Sequence, residues 1–114
     1  MTAVYDIDIH VKQPCVYILA SMKGGTLYIG VTSNLAARLY QHRTRATPGF
    51  TSEYGAIRLV HAEPFARMTD AIAREKQLKN WHRQWKINLI EASNPEWRDL
   101  GIEWGLVEGK PRRS

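Results

Sequence analysis

The chain has 114 residues and a mass of 13.1 kDa, room for one small domain whose core can fold without disulfides or a structural metal. Hydrophobic residues make up 44% and charged residues 24%, which excludes a disordered or fibrous chain, and Cys15, the single cysteine, excludes an intrachain disulfide and a Cys/His zinc cluster. Sixteen Lys and Arg against eleven Asp and Glu leave a net charge of +5 and a pI of about 9.6, a balance that favours a polyanionic partner.

A lone thiol fits a reducing, intracellular setting. The N-terminus has neither the basic start nor the apolar run of a signal peptide, and no later stretch approaches the ~18 apolar residues of a membrane span. The expected location is cytoplasmic, with no membrane partner.

Residues 1–13 alternate weakly through Val4, Ile7, Ile9 and Val11 up to Pro14, and form an N-terminal arm with no assigned element. Cys15 to Ala20 and Thr26 to Thr32 are rich in β-branched and aromatic residues and flank Met22-Lys23-Gly24-Gly25, the pattern of a β-hairpin. With an even number of turn residues, Tyr17 and Tyr28 fall on one face as diagonal neighbours; an odd loop separates them. Thr32-Ser33-Asn34 supplies N-cap oxygens for a helix from about Leu35 to Arg45, ended by Pro48-Gly49. On it Leu35, Arg38, Leu39 and His42 recur at helical spacing, so Arg38 and His42 flank the apolar stripe and need a partner or a ligand.

Ile57 to Ala62 alternates as a third strand, closed by Pro64, with Leu59 and Val60 in the core. Helical periodicity returns from Met68 to Ala92, with Thr69 or Asp70 as cap and a break expected between Trp81 and Trp85. Met68, Ile72, Glu75 and Leu78 or Lys79 step by three and four, which sets Glu75 in the packed stripe, where an unpaired carboxylate costs several kcal/mol. Asn94-Pro95-Glu96-Trp97 reads as a fresh capped turn, and the segment from Gly101 as a mobile basic tail. Between positions 74 and 88 five basic residues surround the single acid Glu75, which is either a phosphate-binding track or a solvated helix face.

Paired tyrosines, an Arg with a His one turn later and an inward Glu make a plausible phosphoryl-transfer set. Phosphodiester hydrolysis needs a base for the attacking water, cationic stabilisation of the phosphate oxygens and help for the departing oxygen. A hard cation commonly gives that help, and Mg²⁺ needs only one or two carboxylates.

In the order and spacing of these residues the chain resembles the GIY-YIG nuclease family, in particular its single-domain YhbQ-like members. Val16-Tyr17-Ile18 matches the first element and Tyr28-Ile29-Gly30 the second in full; Arg38 follows where the family's catalytic Arg stands, and His42, Glu75 and Asn88 match later positions. Cys15-Val16 in place of Gly-Ile departs from the first element while keeping the tyrosine hydroxyl. The resemblance implies an α+β fold, a three-stranded antiparallel sheet flanked by helices, over residues 14–100, between the arm and a tail at 101–114. It implies a site on the sheet face covered by the Arg38 helix and the Glu75 helix. Glu75 would hold Mg²⁺, or Mn²⁺ in its place, or else form an internal salt bridge with Arg38. Arg38 would grip the phosphate, and Tyr17 would act as base or position the water beside Tyr28, with His42 as the competing base. Asn88 would orient the site or merely cap a turn, and Tyr54 would border the site from its loop. His61 and His82 match no position and read as structural or solvated.

The activity so implied is a metal-dependent DNA endonuclease of little sequence specificity, acting on branched, damaged or single-stranded DNA as repair-related family members do, with RNA left open as a substrate. The alternative is a binding module of the same fold with little or no cleavage, using Arg43, Arg45, Arg74, Lys79 and Arg83 as a phosphate track. A third reading gives the tryptophans between Trp81 and Trp104 to a protein partner that supplies targeting.

Overall fold

The hairpin around Gly24 and Gly25 forms, and its turn determines how the rest of the sheet is laid out. The computed structural model describes residues 13–44 and 58–107. Strand β1 (Cys15–Ala20) returns as β2 (Leu27–Thr32). The Ser21 N–H donates to the Thr26 carbonyl at 3.0 Å and the Gly25 N–H to the Met22 carbonyl at 2.9 Å. Gly24 sits at φ 71°, in the left-handed region that a side chain would strain. The loop length is even, so Tyr17 lies opposite Gly30 and Leu19 opposite Tyr28, and the two tyrosines share a face.

Strand β3 (Arg58–Pro64) pairs antiparallel with β1 to complete a sheet of order β2-β1-β3. It runs past the expected end at Ala62 because β1 starts at Cys15, whose partner is Pro64, and the Phe65 N–H donates to the Pro14 carbonyl at 2.8 Å. Proline is tolerated there because β3 is an edge strand. Ile57, the expected start, lies outside the described residues. Between the pairs Ile18–His61 and Leu19–Leu59 the register slips, leaving Val60 as an extra residue in a β-bulge.

As the central strand, β1 is buried on both faces, every residue at 5% exposure or less. Val16, Ile18 and Ala20 point to one core with Ile29, Val60, Ala71, Leu78, Ile90 and Trp97. Tyr17 and Leu19 point to the other, with Leu39, Leu59 and Leu100.

Helix α1 (Leu35–Thr44) covers the Tyr17 face and is capped by Asn34, whose Oδ1 accepts the Ala37 N–H at 3.1 Å. The Pro48-Gly49 stop lies outside the described residues. The opposite face is covered by α2 (Met68–Lys79) and α3 (Arg83–Ser93), separated near Trp81 as the two apolar rows predict. The expected cap at Thr69 or Asp70 is not used. Arg67 is the N-cap, without a side-chain hydrogen bond, so Asp70 falls inside the first turn, where its charge complements the helix dipole.

The chain then clasps the outer edge of β3. Asn94 is fully buried; its Nδ2 donates to the Val60 carbonyl at 3.2 Å and the Arg98 carbonyl at 3.0 Å, and its Oδ1 accepts the Arg98 N–H at 3.0 Å. Trp97 is fully buried with its backbone at φ 56°, and its indole N–H donates to Glu91 at 2.7 Å. Burial of Trp97 removes it from the tryptophans offered to a partner. Asp99 caps the short helix α4 (Leu100–Glu103) by accepting the Gly101 N–H at 3.0 Å, takes the Leu59 N–H at 3.3 Å on the same oxygen, and pairs with Arg43 through the other.

The boundary expected at residue 100 moves outward. Gly101 is buried and Leu106 and Val107 pack on the second core, so the fold continues through Val107. The arm at 1–12 and the remainder of the tail at 108–114 lie outside the described residues.

Asn94→Ala strands buried backbone groups of Val60 and Arg98 together, for a loss of roughly 2–3 kcal/mol. Thermal unfolding followed by circular dichroism should show Tm falling by on the order of 10 °C; an unchanged Tm would show that the clasp is dispensable.

Candidate active site

Tyr17 is fully buried, and its ring lies across its strand partner Gly30. A Cβ at position 30 would stand 2.5 Å from the Tyr17 hydroxyl oxygen and 2.6 Å from Cζ, so only glycine leaves room for the phenol there. The glycine of Tyr28-Ile29-Gly30 therefore acts by accommodating the tyrosine of the neighbouring strand.

Three side chains meet at that phenol. His42, itself 2% exposed, brings Nε2 to 3.1 Å from the Tyr17 hydroxyl. Tyr28 and Arg38 stand beside it, close enough to act on its proton. The ring centroids of Tyr17 and Tyr28 lie 6.3 Å apart, those of Tyr17 and His42 6.0 Å, and those of Tyr28 and His42 5.4 Å. The local reason is simple: the even hairpin loop puts the tyrosines on one face, and one helical turn between Arg38 and His42 presents both to that face.

Burial sets the protonation states. It pushes the Tyr17 phenol well above its ordinary value, Tyr28 adding to the shift and the Arg38 cation only partly opposing it. Burial, with Arg38 second, holds His42 below its ordinary 6.5. At neutral pH the group is thus a protonated phenol against a neutral imidazole, which keeps one nitrogen able to accept a proton. Cys15, at the departure from the first motif element, is a buried thiol pushed up to about 11, chiefly by desolvation, and is unreactive at neutral pH.

Glu75 is elsewhere. Successive residues of β1 point to opposite faces, and α2 packs against β1 and β2 on the face away from Tyr17. The expected single face covered by both the Arg38 and Glu75 helices is therefore corrected to two faces with one helix on each. The Glu75 carboxylate is 15% exposed, and its ion pair is with Lys79 at 2.8 Å, not with Arg38. Asn88 is exposed on α3, where its Oδ1 accepts a hydrogen bond from Gln84 at 2.9 Å. The hydrogen bond and ring contacts given above for Tyr17, Tyr28 and His42 are made without either residue. Among the described residues, no three or more His, Cys, Asp or Glu stand together as a metal cluster.

The cations expected as a phosphate track have internal partners. Arg43 pairs with Asp99. Arg74 grips Glu63 through Nε at 2.8 Å and Nη2 at 3.1 Å, and lies 5.1 Å from the centre of the Trp81 ring. Arg83 donates to the Gly24 and Gly25 carbonyls at 2.8 and 2.7 Å, tying α3 to the hairpin turn, and Lys79 holds Glu75. Arg45 and Tyr54 lie outside the described residues.

Sequence reasoning passed over Glu63 and Asp99. Burial alone would raise the Glu63 carboxyl, but Arg74 and His61, the latter 2.8 Å away, outweigh it and hold the group below its ordinary value. His61 is thereby a structural residue, as its lack of a motif match implies. Neither acid carries a local signal: each is recognised only by the backbone or cation that folding brings to it.

Residues 13–88 match the family model described as the GIY-YIG catalytic domain. A UPF0213 protein of Staphylococcus haemolyticus is 34% identical over 67% of this chain and 92% of its own length. Another, of Oceanobacillus iheyensis, is 32% identical over 75% of this chain and 98% of its own. The solution NMR structure of a UPF0213 protein from Bacillus halodurans aligns over 77% of this chain and 93% of that one, at 26% identity and a TM-score of 0.49. With two-thirds of its length matched by the family's catalytic domain, this chain belongs to the GIY-YIG nuclease family.

Proposed function

We propose that the protein is a divalent-metal-dependent endonuclease that hydrolyses DNA phosphodiester bonds, with branched or damaged DNA as the preferred substrate and little sequence selectivity. The observation that carries this reading is the convergence of Tyr28, Arg38 and His42 on the one buried hydroxyl of Tyr17. Arg38 is a planar cation that stays protonated, suited to bind a phosphate through two N–H groups and to stabilise the charge that builds on its oxygens. His42, neutral and within a hydrogen bond of Tyr17, takes the proton of the attacking water. Tyr17, whose phenol keeps its proton, orients that water rather than deprotonating it, and Tyr28 fixes the phenol's direction.

For the metal, Glu75 is the candidate ligand. A single carboxylate fits Mg²⁺, which usually keeps several waters and takes only one or two protein carboxylates, and Lys79, 54% exposed, can swing aside to release it. Mn²⁺ has the same donor preference. Such an ion would supply charge to the departing oxygen. The reading requires Glu75 to act past the free edge of β2, the strand that carries Tyr28 and Gly30 and against which α2 packs.

Incubation of supercoiled and branched DNA with and without Mg²⁺ should give metal-dependent nicking, reduced on the order of 10²–10³-fold in Arg38→Ala and Glu75→Gln. Equal nicking by all three proteins would sink the assignment, and salt-dependent binding without cleavage in any metal would leave a binding module. Gly30→Ala should fold yet lose comparable activity, since the added methyl displaces the Tyr17 ring.

The pH profile separates the two candidate bases. His42 works neutral and its folded pKa is below 6.5, so activity should hold down to about pH 6.5 and fall only in more acidic buffer. Stability follows the same sign: the unfolded chain binds the proton more readily, so stability declines as pH drops below 6.5. If cleavage instead climbs steadily to about pH 10 or beyond, Tyr17 phenolate is the base.

A further inference from the structure

We infer that the surface around Trp85, on the sheet face opposite Tyr17, is a second nucleic-acid contact that stacks an unpaired base. Trp85 is 52% exposed although its side chain is fixed by neighbours on two sides. Trp81 meets it edge to face at 5.9 Å and 85°, and His82 at 5.1 Å and 89°. Trp81 is in turn held by Arg74, whose guanidinium is fixed by Glu63. A rigid indole with half its surface open is a poor use of apolar area unless something covers it.

The charges around it indicate what does. Lys76, Lys79, Arg83 and Lys86 lie on the same two helices, and between positions 74 and 88 Glu75 is the only acid among five basic residues. Internal pairing consumes part of this field, since Arg74 is paired with Glu63 and Lys79 with Glu75. Arg83 spends its hydrogen bonds on neutral carbonyls and keeps its full charge, and Lys76 and Lys86 enter no ion pair among the described residues. A half-exposed indole on helices that also carry the uncompensated charges of Lys76, Arg83 and Lys86 matches a base and its flanking phosphates, whereas an apolar protein surface would have to desolvate those cations. Duplex bases are already stacked, so the occupant is single-stranded nucleic acid. This deepens the proposed function, on which it rests for its biological sense, by making single-stranded or branch-point nucleic acid the substrate class. Arg83 also holds the turn of the hairpin that carries Tyr28, so the helix that bears the indole is tied to the hairpin of the tyrosine site.

The test is binding of oligodeoxythymidylate in EDTA, read by tryptophan fluorescence, so that cleavage plays no part. The single strand should quench the fluorescence, and Trp85→Gln should lose most of that quench and about tenfold in affinity. Trp85→Phe should bind within about twofold of the parent, because it keeps a ring to stack on. Lys86→Gln should lower the slope of log affinity against log salt by about one without changing the quench at saturation, and it serves if Trp85→Gln fails to fold. Undiminished binding and quenching in Trp85→Gln, equal quenching by a blunt duplex, or an unaltered salt slope in Lys86→Gln would each overturn the inference. A protein that binds in this way but never cuts DNA would instead fail the nuclease reading alone.

Discussion

A strand buried on both faces has no side on which to hide a polar group, and β1 nonetheless carries a hydroxyl in its middle. Tyr17 is the one residue of β1 whose side chain must find hydrogen bonds inside the protein. Its neighbours follow from that need. Gly30 gives it room, Tyr28 and His42 surround its oxygen, and Arg38 adds a cation that offsets part of the cost of burial. The same dry surroundings keep the phenol protonated and the imidazole neutral, so one constraint sets both the shape of the site and its proton inventory.

The basic character of the chain proves to be architectural as much as adhesive. Arg43, Arg74 and Arg83 each tie distant segments together, through Asp99, Glu63 and the hairpin turn. A guanidinium does this well because its fork of donors holds a fixed direction. Only Arg83 keeps an uncompensated charge, because its contacts end on neutral carbonyls, whereas Arg43 and Arg74 are paired with carboxylates. Counting arginines in the sequence measures the field but cannot say which of them are already engaged.

Local signals were the legible ones. Glycines between two aromatic runs announce the hairpin, the loop's parity puts Tyr17 and Tyr28 together, and the change of apolar row near Trp81 marks the end of one helix and the start of another. The grouping of Tyr17, Tyr28, Arg38 and His42 was readable as far as these reach. Glu75 shows where periodicity stops: it establishes that the residue faces the sheet, but not which of two faces, because every residue of β1 is apolar or aromatic and the strand's own sequence does not distinguish them. The span from Asn94 to Asp99 was opaque for another reason. Its side chains bond backbone groups of β3 more than thirty positions away, and a left-handed Trp97 has no compositional mark.

That same span has a consequence for self-association. Among the described residues β2 and β3 both end the sheet, and an open edge strand offers its amides and carbonyls to any other extended chain. On β3 the Leu59 amide and the bulged Val60 carbonyl are occupied by Asp99 and Asn94, so a second molecule finds the edge already plugged at its centre. The fold guards its aggregation-prone margin with two short polar side chains delivered from beyond α3, where a fourth, sacrificial strand would otherwise have been needed.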